Sequence, residues 1–538
     1  MFKNIFSLSD ENSKNKNIQE NIKTPEYENI KVSPVLEDNK QNIEKIFVNC
    51  SDFIIREVKI TNNPQYTAMV AYINNMCETA TIEEAVIKKL TSKSEYPSYS
   101  PGSKEYCKYL LGIRDADIYM DIIKVVDSIL SGKLILFIDG INEAMVINIT
   151  NPPGRSVEEP VVESVVRGPR EGFTESISTN RVLIRKIIKS PNLKFELFIM
   201  GRETKTDVNI AYLSNIANEK IINKLKERLN KIDIDGVLEA NYIKEYIEDE
   251  PISNFPTIYS TERPDVVATK LLEGRIAIIT NGTPVVITVP AIFAEFMETT
   301  EDSYLKFIAG SINRIIRYLS FVLSLTLPGF FLAITTFHQE VIPTPLLVSF
   351  MKARADVPYP AFVECFLMLT VYEILREAGV RMPRAVGQAI SVVGALVLGE
   401  SAVQAGLVST PMVIVVATTG ISSFAVPSTD MSTAIIFPRF IFLFLGGFTG
   451  LLGLLCGIVI LCMKLISIRS FGIPYMEPLA PIVPNELPNI VIRRPLWTKL
   501  RRSWFITGKE SIRRKESSHI KSIKEGDKKA IGQKKNKE

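Results

Sequence analysis

The sequence predicts a membrane protein in two parts: an N-terminal cytoplasmic α/β region of two similar subdomains, then an α-helical transmembrane bundle. Three observations carry this. Long uncharged apolar runs begin only after about residue 310, the half before them contains one pattern twice, and basic residues cluster at span ends. Tyr318 to Phe337 is twenty residues without a charge, and Phe440 to Met463 is twenty-four. Runs of about 18–25 apolar residues are what a helix needs to cross a bilayer.

Residues 1–45 are rich in Lys, Asn, Glu and Ser and are expected to be a disordered polar tail. The first twenty residues hold no apolar h-region, so no cleaved signal is expected and the residues before the first span are placed in the cytoplasm. Residues 46–150 and 190–290 are read as the two subdomains. "TAMVAYINNM" at 67–76 matches "VNIAYLSNIA" at 208–217, and "GKLILFIDGINEAMVINI" at 132–149 matches "GRIAIITNGTPVVITVP" at 274–290. The offsets, 140 and 142 residues, agree closely enough to indicate one duplication. In the second pair, Asp-Gly or Asn-Gly separates two β-rich runs, the strongest local hairpin signal.

Residues 151–189 join the copies through a linker and helical segment that contains "RGPREGFTES". Residues 291–311 are an interfacial connector, 312–468 the membrane domain of about four to six spans, and 469–538 a basic cytoplasmic tail. From Arg493 onward, 16 Lys or Arg face 5 Asp or Glu, a net +11 in a chain of net +4. Such a segment marks a cytoplasmic end and is attracted to anionic lipid; without a folded basic domain it does not suggest nucleic acid.

Enzymatic function is not expected. Only His338 and His519 exist, which removes histidine-based triads and metal sites from the soluble half. No phosphate-binding Gly-x-x-x-x-Gly-Lys-Ser/Thr occurs, and "RGPREG" lacks dinucleotide-site glycine spacing. No cofactor or metal is expected, and the six cysteines, with no Cys-x-x-Cys pair, read as reduced thiols.

Several further segments resemble one known family. "NPPGRSVEEPVVESVVRGPREGFTESISTNRVLIRKII", "MGRETKTDVNIAYL", "STERPDVVATKLLEGRIAII", "EILREAGVRMP" and "SFGIPYMEPLAP" occur in the order found in the A subunits of GerA-type nutrient germinant receptors of endospore formers. The resemblance runs from about residue 45 to 495. It implies a subunit of the spore inner membrane working beside a transporter-like B subunit and a lipoprotein C subunit. It also implies homo-oligomers that form an ion path, opened by nutrient sensing.

Candidate spans lie at about 315–337, 358–377, 385–404, 407–427 and 437–467. Five full crossings would strand the basic tail outside, so one segment must be re-entrant, broken or doubled. Pro427 to Pro438 and "LLVSFM" at 346–351 are the two places where the extra turn is expected. Ionisable residues inside spans are costly and therefore functional candidates. Glu364 and Glu400, the latter isolated in 45 otherwise uncharged residues, are candidates for cation contact. Glu373 is a third, with a structural pair to Arg376 and Glu377 at i+3 and i+4 as the other reading. Glu400 equally fits a bend between two helices.

The motif is read as a clasp between subdomains or between subunits, built from Arg155, Arg167, Gly168, Pro169, Arg170, Glu171 and Glu175. Its alternating charges can satisfy one another, whereas a pure anion trap would not need the glutamates; anion binding at the following helix N-terminus stays open.

Overall fold

The computed structural model describes residues 27, 29–60, 67–91, 117–150, 160, 163, 167–381, 400–484, 486–498, 501–508 and 513. The chain divides into two compact units. The first comprises residues up to Val157 with Ser176–Leu197 and Asn209–Ser214; the second holds Glu158–Glu175, Phe198–Val208 and Asn215 onward.

The first unit is built on a five-stranded sheet of order β1-β2-β4-β5-β3: β1 Phe53–Lys59, β2 Thr67–Ile73, β3 Asp117–Tyr119, β4 Leu134–Ile138 and β5 Ala144–Ile147. Its pairings are antiparallel. Successive side chains of a strand point to opposite faces, and β2 shows the consequence. Met69, Ala71 and Ile73 join a core with α1 (Leu36–Ile46) and α2 (Ile122–Leu130), while Ala68, Val70 and Tyr72 join another with the helical residues 79–91. Both faces are buried, so the strand reads as an unbroken apolar run. The ordered chain begins inside the stretch expected to be disordered, because Ile43 of α1 is fully buried in that core.

α3 (Ile177–Ile187) belongs to the same unit. Its Arg185 donates to both carboxylate oxygens of Asp52, at 2.8 and 3.1 Å, and lies over the Phe195 ring. Asp52 is 1% exposed and Arg185 is fully buried. A buried pair of this kind fixes geometry more than it adds stability.

A second sheet has order β6-β7-β9-β10-β8, with β6 Leu193–Met200, β7 Thr206–Leu213, β8 Tyr259–Thr261, β9 Ile276–Thr280 and β10 Val286–Val289. The boundary between the compact units runs through β6 and β7. Adding 142 to the bounds of β3, α2, β4 and β5 gives those of β8, the helix Pro264–Leu272, β9 and β10. Register is kept as well: Leu134↔Ile147 becomes Ile276↔Val289, and Tyr119↔Ala144 becomes Thr261↔Val286. The Asp-Gly and Asn-Gly pairs sit in loops of five residues, 139–143 and 281–285, where only Gly140 and Gly282 adopt positive φ, 86° and 90°. Between these strands, α4 (Glu219–Asn230), α5 (Ala240–Ile247) and α6 (Pro264–Leu272) complete the region.

The second unit continues into α7 (Glu301–Tyr304), α8 (Phe307–Phe337), α9 (Thr344–Arg354), α10 (Ala361–Arg381), α11 (Thr410–Phe424), α12 (Thr429–Ala434) and α13 (Ile436–Ser467). Two stretches, Phe307–Phe337 and Thr429–Ser467, are long and apolar enough to cross a membrane. α10 has spanning length but carries five charged residues, and α11 is shorter. Most of the candidate span at 385–404 lies outside the described residues.

Helices end at Phe424 and begin again at Thr429, beside Pro427. Residues 346–351 are helical within α9. The chain also reverses inside the span expected over 437–467, at Gly450, whose φ of 67° and ψ of −152° break the helix. A Cβ on Gly457 would lie 2.6 Å from Leu445 and 2.8 Å from Phe442. On a straight helix those residues are roughly 18–22 Å away. α13 is therefore two arms folded against each other, possible because glycine alone adopts that backbone at no steric cost.

α8 and the first arm of α13 cross at backbone contact. A Cβ at Gly446 would stand 2.1 Å from the Gly329 carbonyl oxygen, and one at Gly329 would stand 2.3 Å from that of Phe442. Small residues give this close approach in membranes, where packing replaces the hydrophobic drive between helices. Residues 469–508, expected as the start of a tail, contain packed structure instead: Phe293 N–H donates to Tyr475 O and Ala291 N–H to Ser470 Oγ.

The crossing makes a direct prediction. Gly446→Val should lower the melting temperature of the detergent-purified chain, with an overpacking cost of about 1–3 kcal/mol. Gly379→Ala, where a Cβ meets nothing within 4 Å, should leave it unchanged.

Candidate functional site

Pro328 lies inside α8 and has no N–H to donate to the carbonyl four residues earlier, Ser324. A backbone acceptor left bare among apolar helices is costly. Arg439, from the first arm of α13, fills the vacancy: its Nε donates to Ser324 O at 2.7 Å. The same guanidinium reaches α10, where Nη1 donates to Glu373 Oε1 at 2.6 Å. Arg376 approaches the other oxygen of Glu373 at 3.0 Å. Arg439 is fully buried, so one side chain joins three helices through a carbonyl and a carboxylate. The i+3 pair expected for Glu373 is present, but its buried partner on another helix is not readable from spacing.

Glu364 sits elsewhere on α10 and is 1% exposed. Ser409, the N-cap of α11, donates both its N–H and its hydroxyl to Glu364 Oε1, each at 2.6 Å. A carboxylate at a helix N-terminus satisfies orphan donors and opposes the positive end of the macrodipole. Arg354, at the end of α9, lies 3.6 Å from its other oxygen. Glu364 and Glu373 thus face different neighbours, as their nine-residue spacing implies. Glu400 is exposed and accepts from Gln404 at 3.4 Å.

The signature motif belongs to the second unit. Arg155 lies outside the described residues. Arg167 N–H donates to Glu301 of α7 at 3.1 Å. Gly168 has φ of 136°, and a Cβ there would meet the Tyr304 ring at 2.7 Å, so a larger residue would have to push that ring aside. Pro169 O accepts from Arg263 at 3.5 Å, Phe173 N–H donates to Glu262 O at 2.8 Å, and Glu175 O accepts from Gly282 N–H at 2.8 Å. Arg170 and Glu171 are exposed. The loop therefore links the β9–β10 turn, the start of α6 and α7. The backbone contacts come from Gly168, Pro169 and Phe173 as much as from the charges that the sequence emphasised. Glu163, upstream, accepts from Thr261 at 2.6 Å, and burial lifts its carboxyl to about 7.

α7 leads directly into α8, and Asp302 binds the two together. This fully buried carboxylate accepts from Arg314 Nε at 3.1 Å and from Arg317 Nη1 and Nη2 at 2.8 and 2.9 Å. Arg314 also donates to Glu298 and to Asn489 O. Arg314 and Arg317, which precede the uncharged run from Tyr318, are thus held by protein groups. Tyr304 donates to Asp265 at 2.8 Å, and Asp265 pairs with Arg263, which closes the path back to the motif. A second link runs from α5: Lys244 and Ser260 both donate to Asp430 in the first turn of α12, at 2.6 and 3.2 Å.

Residues 41–505 match the Bacillus/Clostridium GerA spore germination protein family. The chain belongs to the GerA family. It is 43% identical to spore germination protein KA of Bacillus subtilis (strain 168), over 90% of this chain and 88% of that one. It is 36% identical to spore germination protein GerLA of Bacillus cereus, over 73% and 80%. Among solved structures it is similar to the crystallised N-terminal domain of the A subunit of the Bacillus megaterium spore germinant receptor GerK3. That similarity is 34% identity over 49% of this chain and 98% of the other, with a TM-score of 0.40. The relatives are named as spore germination proteins.

Two outcomes test the site. Asp302→Asn should destabilise the chain by about 3–5 kcal/mol, because it leaves two arginines without their shared buried charge; chemical unfolding in detergent measures it. Glu477, with Ser503 donating to it, is raised by burial to about 7. The folded value exceeds the unfolded one, near 4.3, so this stabilisation is complete below about 4.3 and lost as pH rises through 7. Glu477→Gln should therefore shrink the fall in melting temperature between pH 5 and pH 8.

Proposed function

We propose that this chain is the subunit of a nutrient germinant receptor that carries a signal from the soluble α/β region into membrane helices, opening an ion path built by several copies. The observation that supports it most is the run of contacts from the motif to the crossing. Gly168 rests on Tyr304, Asp302 of the same short helix holds Arg314 and Arg317 of α8, and Arg439 ties the Pro328 site of that helix to Glu373. A displacement of the motif has rigid, charged connections through which to move α8.

In this reading the chain sits in the spore inner membrane with its N- and C-terminal regions cytoplasmic. The reversal at Gly450 supplies the added crossing that basic segments at both ends require. A transporter-like B subunit is the sensing partner, a lipoprotein C subunit completes the complex, and the basic tail meets lipid headgroups. Glu400 is the better ion contact of the three candidates, because it is exposed whereas Glu364 and Glu373 hold helices together. The motif acts as the clasp, within the second unit and between copies. No observation favours a stand-alone secondary transporter or an anchored enzyme.

Spores carrying Gly168→Val should assemble receptor at near-normal level yet release cations at least tenfold more slowly after nutrient addition. Glu400→Gln should alter the rate or ion selectivity of that release. Normal release in both, at normal receptor abundance, would overturn the coupling and the ion path together.

A further inference from the structure

A groove lies where α5 meets α12 and the start of α13. Its cavity, about 860 Å³, is walled on one side by Lys244, Glu245 and Glu248 and on the other by Asp430, Phe437 and Phe440. Small-molecule sites typically enclose roughly 300–1,000 Å³. Charge inside the groove is unbalanced. Lys244 is paired with Asp430 at 2.6 Å. Glu245 and Glu248 have no ion-pair partner among the described residues, and Glu245 accepts only from the Asn241 amide at 3.4 Å. Spacings of three and four residues put Lys244, Glu245 and Glu248 on one face at the end of α5. Burial pushes the Glu248 carboxyl up, which Lys244 offsets only in part.

The depth of the groove is fixed by the elements that form it. The long apolar stretch of α12 and α13 begins at Thr429, and its uncharged run begins at Phe440. Asp430, a charge at the end of such a stretch, belongs at headgroup level rather than in hydrocarbon. Lys244 and Ser260 hold α5 at that level through Asp430. The rim is correspondingly apolar: Tyr246, Ile252 and Phe437 are 56, 92 and 63% exposed. Tyrosine is enriched at the boundary between membrane and water, where its ring sits among headgroups.

We infer that this groove holds the headgroup of a membrane phospholipid that bears an ammonium, with the ammonium on Glu245 and Glu248, the phosphate toward Lys244 and the acyl chains along Phe437 and Phe440. The inference rests on the reading above that these helices lie in a membrane. An ammonium supplies the cation that the two carboxylates lack, and Tyr246 offers it an aromatic face. Lys244 has three hydrogens, of which Asp430 and Ser260 take two, so one is left for a phosphate oxygen. An anionic headgroup without an ammonium would bring its charge to two uncompensated carboxylates. A soluble zwitterion would answer the charges but leave Ile252 and Phe437 bare.

The test places the full chain in phosphatidylglycerol vesicles with a small fraction of photo-reactive lipid, diazirine-bearing phosphatidylethanolamine in one arm and phosphatidylglycerol with the same acyl chains in the other. Mass spectrometry after irradiation locates the label. Phosphatidylethanolamine should label residues 241–256 and 433–440 at least fivefold more than phosphatidylglycerol does. The two probes should label the exposed Leu452 and Leu455 of the second arm of α13 equally. Equal labelling of the groove by both probes overturns the inference. A groove without label beside labelled Leu452 and Leu455 overturns it too but leaves the membrane reading standing. No label at either place refutes the membrane reading, and the inference with it. Glycerophosphoethanolamine, the water-soluble headgroup, at the probe's own concentration should leave the labelling unchanged; its loss would assign the groove to a soluble ligand and overturn the lipid. Glu245→Gln with Glu248→Gln should abolish the preference between probes while Leu452 and Leu455 stay labelled, which reports that the variant is folded and inserted. A preference that survives in that variant overturns the roles given to the two carboxylates and the inference built on them.

Discussion

Pro328 withdraws a hydrogen bond from the middle of α8, and Arg439 supplies it from another helix. The rest of the helical half is arranged to make that substitution possible. A guanidinium can reach a backbone carbonyl at this depth only if the helices touch, and Gly329 and Gly446 let them touch at backbone distance. A buried cation in turn needs an anion, and Glu373 places α10 at its side. Each feature is costly alone: a bare carbonyl, a buried charge, glycines within helices. Together they satisfy one another, which makes the arrangement specific as well as stable.

The same helix receives the soluble half by a different device. Asp302 gathers Arg314 and Arg317 in a buried cluster, so α8 is gripped at its start by charge and at its middle by Arg439. The motif that drew attention in the sequence sits one contact further out, against Tyr304 of the same short helix as Asp302. A stiff helix held at two points moves as a body, and this underlies the proposed coupling.

Much of the soluble fold is legible in the sequence, for a physical reason. Strands buried on both faces leave unbroken apolar runs, and a repeated α/β unit leaves them twice, so an offset of 142 residues transfers whole elements and their registers. Glycines at positive φ, Gly140 and Gly282 among them, mark the same turns in each copy. The helical half is less legible because its decisive contacts join residues far apart. Arg439 lies inside the expected span 437–467, yet it reads as a boundary charge beside Pro438. The available signal was the pairing of a proline in one span with an arginine in another. The Gly450 reversal was equally hidden, since a helical hairpin and one long helix share the same apolar composition. α1 was missed because its few apolar positions, Ile43 above all, are diluted by lysine and asparagine.

The account stands on the claim that Arg439 and Glu373 act as one unit. A double-mutant cycle with Arg439→Gln, Glu373→Gln and both, read by chemical unfolding of the detergent-purified chain, tests it most directly. Each single change should cost about 3–5 kcal/mol by stranding its partner, and the double change should cost less than their sum by about 2 kcal/mol. Strictly additive costs would show that the two residues do not depend on each other and would contradict the account.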